Sequence, residues 1–148
     1  MRMSRPFAAP VALAAALALV VATAGTAAAS TTTFVTKLTG EVEVPIGDLD
    51  GSGVAVVRLD ADTGDVCWTY KVRDVAPIFA AHIHVGPAGV AGPVVIPFAA
   101  PDATSGVSIG CTTADPALVS AIVANPSGYY VNTHNVDFPP GALRGQLG

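Results

Sequence analysis

Apolar and polar residues alternate with a period of two along most of the chain, and clusters of Gly, Pro and Asp separate the alternating runs. Thr31 to Val44 alternates loosely, with Phe34, Thr36 and Leu38 opposite Val35 and Lys37, and predicts a first strand running up to Pro45. Val54 to Leu59 and Val66 to Arg73 read as a hairpin about the Asp60 to Gly64 turn, with Val66, Trp68, Tyr70 and Val72 on one face. A strand ending at Val85 follows, then a loop punctuated by Gly86-Pro87, Gly89 and Gly92-Pro93, then a strand at Val94-Val95-Ile96. Short strands at Val107 to Cys111, Tyr129 to His134 and Ala142 to Leu147 complete the set. In the last of these Leu143, Gly145 and Leu147 are expected to face inward, and Arg144 and Gln146 outward.

Only Asp115 to Pro126 carries a helical signature, with Asp115 as N-cap, Pro116 in the first turn, apolar residues at 118, 119, 122 and 123, and a proline stop. Short strands at regular spacing with Gly/Pro turns predict an all-β domain. The expected architecture is a Greek-key-like β-sandwich or flattened barrel of about seven to eight strands with one short helix. Asp48-Leu49-Asp50-Gly51-Ser52-Gly53 is similar to the start of a calcium loop, but its twelfth position is Leu59 where a bidentate Glu is required. It reads instead as an Asp-Gly turn leading into a strand.

Ahead of the alternating pattern the chain changes character. Arg2 and Arg5 precede an unbroken Ala/Leu/Val run from Val11 to Val21, and Ala27-Ala28-Ala29 supplies small residues for a peptidase, which together read as a secretory signal peptide over residues 1–29. The run is well short of the roughly twenty residues that a membrane-spanning helix needs, so no membrane span is expected. One secreted, extracellular domain over residues 30–148 remains, with five basic against eleven acidic residues. That balance excludes nucleic acid as a partner, because phosphate binding needs clustered Lys and Arg. Two cysteines in an exported chain predict a Cys67–Cys111 disulfide, on the face opposite Trp68 and Tyr70 and so outside the apolar core. No Cys-x-x-Cys spacing supports a redox pair.

Candidate chemistry concentrates at the three histidines. His82 and His84, two residues apart on a strand, project from one face, with Phe79, Ala81, Ile83 and Val85 expected on the opposite, apolar one. His134 shares a face with Asn132 and Tyr130, so the three rings can meet if the two strands are neighbours. Neutral imidazoles suit copper(II) or zinc, and His82, His84 and His134 form the candidate metal set. The competing reading makes them structural, donating ring N–H groups to backbone carbonyls or to side chains such as Asn132 and Gln146, with no cofactor at all. Arg144 could hold a ligand carboxylate or pair with Asp137 or a loop carbonyl. Asn132 and Arg144 are thus the candidate ligand-binding pair. No Gly-x-Ser-x-Gly elbow is present, and the acidic residues fall in polar turns, so no catalytic residue is assigned and an enzyme is not expected.

Ala81-His82-Ile83-His84, Gly92-Pro93-Val94-Val95, Tyr130-Val131-Asn132-Thr133-His134 and Arg144-Gly145-Gln146-Leu147, with Leu38-Thr39-Gly40 and Glu43-Val44-Pro45 ahead of them, resemble the hallmarks of the CHRD domain family in order. The resemblance covers nearly everything after the first thirty residues. It implies a secreted, non-catalytic binding or structural module whose partner is an extracellular protein or surface ligand. The alternative is a small extracellular metalloprotein binding copper or zinc through the histidines. A His-x-His on an extracellular sandwich is also similar to copper-zinc superoxide dismutase, but this chain has too few histidines for a two-metal cluster.

Overall fold

The computed structural model of the chain describes residues 30–148, so the expected signal peptide lies outside the described residues. Eight strands form one antiparallel sheet: β1 (Thr31–Thr39), β2 (Ser52–Asp60), β3 (Asp65–Arg73), β4 (Ile78–Val85), β5 (Val94–Phe98), β6 (Val107–Thr113), β7 (Tyr129–Asn135) and β8 (Leu143–Gln146). Their order across the sheet is β5-β4-β7-β8-β1-β2-β3-β6. The two end strands approach each other where Ser108 on β6 donates its hydroxyl to Ala99 O, just beyond β5, at 2.7 Å. Trp68 Nε1 donates to the same hydroxyl at 2.9 Å and its ring stacks on Phe98 of β5, centroids 4.5 Å apart. The sheet therefore curls into a nearly closed, flattened barrel, as the turn spacing predicts.

The interior is filled by one set of alternating positions. Ala55, Val57 and Leu59 of β2, Val66, Trp68, Tyr70 and Val72 of β3, Ala81 and Ile83 of β4, and Val131 of β7 are all buried in one apolar cluster. The helix α1 (Pro116–Ala124) covers the cluster with Val119 and Ile122, and Asp115 Oδ1 accepts from Ala117 N at 2.8 Å as its N-cap. Asp60 and Asp48 close their turns in the same way, each side chain accepting from the backbone N–H groups two and three residues on. Cys67 and Cys111 face each other directly in the β3–β6 register and are disulfide-bonded on the outer face.

Three expectations are corrected. β1 ends at Thr39 rather than running to Pro45, because Gly40 O accepts from both Glu43 N and Gly47 N and the chain folds into a compact loop. Only glycine fits at position 40, since a Cβ there would overlap the Asp48 backbone. Phe79 does not join the apolar face: the β4–β7 register shifts between Ile78 and Ala80, and this bulge turns Phe79 outward, 58 % exposed, with its ring beside that of His134. Val85, at the end of β4, is also exposed. Arg144 does leave the apolar interior, as parity requires, but it does not reach solvent.

Candidate functional site

Strand parity sends Tyr130, Asn132 and His134 of β7 away from the apolar interior, yet all three are buried. The same holds for His84 on β4 and Arg144 on β8. At β4-β7-β8 the sheet is thus covered on both faces, one covering apolar and the other polar. The cover on the second face comes from three loops, residues 40–51, 86–93 and 136–142, and it is held by side chains that the strands present to it.

Arg144 anchors the middle loop. Its Nη1 donates to Val90 O at 3.0 Å and its Nη2 to Pro87 O at 2.9 Å, while the guanidinium lies 3.4 Å from the Tyr130 ring centroid. Gln146 Nε2 donates to Gly86 O and Ser127 O, and Gly92 N donates to Tyr130 Oη. Gly92 has to be glycine, because a Cβ would overlap the Val85 carbonyl. Arg144 thus pairs with loop carbonyls, Asp137 takes no part, and Gln146 bonds backbone rather than histidine.

The three histidines come together under these loops. β4 and β7 are neighbours, with His82 opposite Asn132, His84 opposite Tyr130 and Ala80 opposite His134. One ring nitrogen from each of His82, His84 and His134 falls within a cluster whose members all lie within 4.8 Å of one another. Two of the rings are also held from behind. His84 Nδ1 lies 2.8 Å from Gly92 O and His134 Nδ1 lies 2.9 Å from Pro139 O; since a carbonyl only accepts, each Nδ1 carries the proton. Each Nε2 then bears a lone pair. His84 Nε2 and His82 Nδ1 are buried with no partner, and His134 Nε2 faces Asn132 Oδ1 at 3.1 Å.

Burial, the largest cause in each case, lowers the pKa of all three rings. His82 is driven to about 4, with the neighbouring His134 and His84 adding to the effect. His84 and His134 move in the same direction, against the pull of their carbonyl partners. The cluster is therefore three neutral imidazoles at neutral pH, the protonation state in which they act as ligands.

One member of the site has no role in the sequence reading. Glu43, in the loop after β1, is 5 % exposed, and its pKa is raised by burial against the opposing influence of Val44 N–H, Asn132 and Arg144. Its only sequence signal is a place in the Glu43-Val44-Pro45 motif; the loop brings it to the polar face across more than eighty residues of chain. Beside it, a groove of about 650 Å³ runs between the loop of residues 41–44, Ala88-Gly89 and β8.

The family model described as the CHRD domain matches residues 34–147 of this chain. No curated protein and no solved structure matches it.

Proposed function

Because this chain belongs to the CHRD domain family, we propose that it is a non-catalytic extracellular binding module, and that its buried polar face takes a single copper(II) or zinc ion through His82, His84 and His134. The observation that carries this reading is the state of the ring nitrogens. His82 Nδ1 and His84 Nε2 are buried without a partner, His134 Nε2 faces an oxygen to which it has no proton to give, and one ring nitrogen from each histidine lies within 4.8 Å of the others. A purely structural role accounts for the Nδ1 bonds of His84 and His134 but not for the opposite edges. Leaving a buried acceptor unsatisfied costs about 1–3 kcal/mol, and here several such sites converge.

Ligation accounts for both edges. A metal-bound histidine characteristically donates its remaining N–H to a carbonyl or carboxylate, which fixes the ring and its tautomer. Gly92 O and Pro139 O do this for His84 and His134. Donor atoms around a tetrahedral ion with bonds of about 2.0–2.1 Å stand roughly 3.4 Å apart, so small ring rotations close the cluster. Nitrogen donors of this kind select copper and zinc over calcium and magnesium, which take oxygen. Bound there, the ion supplies a Lewis-acidic centre.

The test uses the disulfide-bonded domain from Ser30 onward, purified without a histidine tag. Metal content by mass spectrometry and calorimetric titration with copper(II) and zinc are expected to give one ion per chain at submicromolar affinity, abolished in His84→Ala. Absence of binding by the wild type, with a lowered melting temperature in His84→Ala, assigns the histidines to scaffolding and overturns the proposal.

A further inference from the structure

The buried polar face contains a carboxylate and a carboxamide that three imidazole ligands alone do not explain. Glu43 Oε2 accepts from Val44 N at 3.3 Å, whereas Oε1 is buried without a partner. Gly141 backs directly onto this carboxylate, and any Cβ there would overlap it. Asn132, 1 % exposed, meets His134 Nε2 through its Oδ1 and stands close enough to Glu43 to oppose the effect of burial on its pKa.

The orientation of that amide is informative. His134 gives its only proton to Pro139 O, so the 3.1 Å approach of Asn132 Oδ1 to His134 Nε2 brings two acceptors face to face. A cation shared by Oδ1 and Nε2 relieves this contact and leaves Nδ2 to donate toward Glu43.

Resting on the metal reading above, we propose that Asn132 Oδ1 is a fourth donor to the ion and that Glu43 is a positioning residue, accepting from Asn132 Nδ2 and so aiming the oxygen at the site. The donor set is then three nitrogens and one oxygen, all neutral. A divalent ion keeps its full charge there, and the Glu43 carboxylate beyond the ligands offsets part of it in a face that also buries Arg144.

The experiment uses the tag-free domain, loaded with zinc for affinity and with cobalt(II) for its ligand-field absorption. Asn132→Ala and Glu43→Gln are expected to weaken zinc binding about 10- to 100-fold. Asn132→Asp, nearly isosteric, is expected to retain binding and to shift the cobalt spectrum, because a charged oxygen replaces a neutral one in the coordination shell. Glu43→Gln is expected to change that spectrum through the reoriented amide. If the wild type binds one ion while Asn132→Asp leaves the spectrum unchanged and Glu43→Gln binds within twofold of wild type, the fourth-donor assignment is overturned and the three-histidine site stands. If the wild type binds no ion, both fail together. Should Asn132→Ala not fold, the Asp and Gln variants carry the decision.

Discussion

Histidines 82, 84 and 134 act at the scale of the single residue through protonation state. Their folded pKa values lie below the ordinary 6.5, whereas in the unfolded chain they titrate normally. Between about pH 6.5 and the folded value, about 4 for His82, the unfolded state therefore binds more protons, and acidification through that window removes stability. Glu43 works the other way, since its raised pKa makes proton uptake favour the folded state. With three histidines against one carboxyl, the melting temperature of the metal-free domain in chelator is expected to fall as pH goes from 7 to 4. A His82→Asn variant should show a flatter profile; a wild-type profile that is flat or rises on acidification would contradict the burial argument. His82 and His84 were legible in the sequence as a same-face pair, because period two is a property of any strand. Glu43 was not, because nothing local distinguishes a loop Glu that will be buried from one that stays in water.

Among the elements, the loop of residues 86–93 and strand β8 depend on each other. Arg144→Ala removes two charge-assisted bonds to loop carbonyls and the contact with the Tyr130 ring. The expected loss is about 3–5 kcal/mol in denaturant unfolding, with faster amide exchange across residues 86–92. Arg144→Lys should recover only part of it, because one ammonium cannot span both carbonyls. β3 and β6 carry a separate staple. Reducing Cys67–Cys111, which closes a loop with a sequence separation of 44, should cost about 4 kcal/mol by chain entropy and leave the histidine face unchanged, since the bridge lies on the outer face of other strands. Mid-strand residues and the helix caps follow from local pattern. The early end of β1 and the outward turn of Phe79 do not, because one depends on a glycine packed against a distant backbone and the other on a bulge set by β7.

For the whole molecule, the near closure of the barrel rests on a few side chains where the sheet ends meet. Ser108→Ala strands the Trp68 indole N–H and the Ala99 carbonyl together. Thermal unfolding should shift downward by an amount equivalent to about 1–3 kcal/mol, with near-ultraviolet dichroism of Trp68 altered in the folded state. A change within a few tenths of a kcal/mol would mean that stacking of Trp68 on Phe98 holds the closure by itself. Among the described residues no helix is long and apolar enough to cross a membrane, and the disulfide is compatible with an extracellular setting. By itself the sequence determined the all-β class, the alternation that fills one face, the helix with its Asp115 cap, the pairing of the two cysteines and the CHRD family, because strand period, caps and motif order are local properties of the chain. Only the tertiary structure decided that the opposite face of β4, β7 and β8 is a second, polar interior in which Arg144 and Glu43 are buried beside three neutral histidines. That depends on loops returning across the sheet from positions far apart in sequence, and residue type at any one position does not encode which loop will cover it.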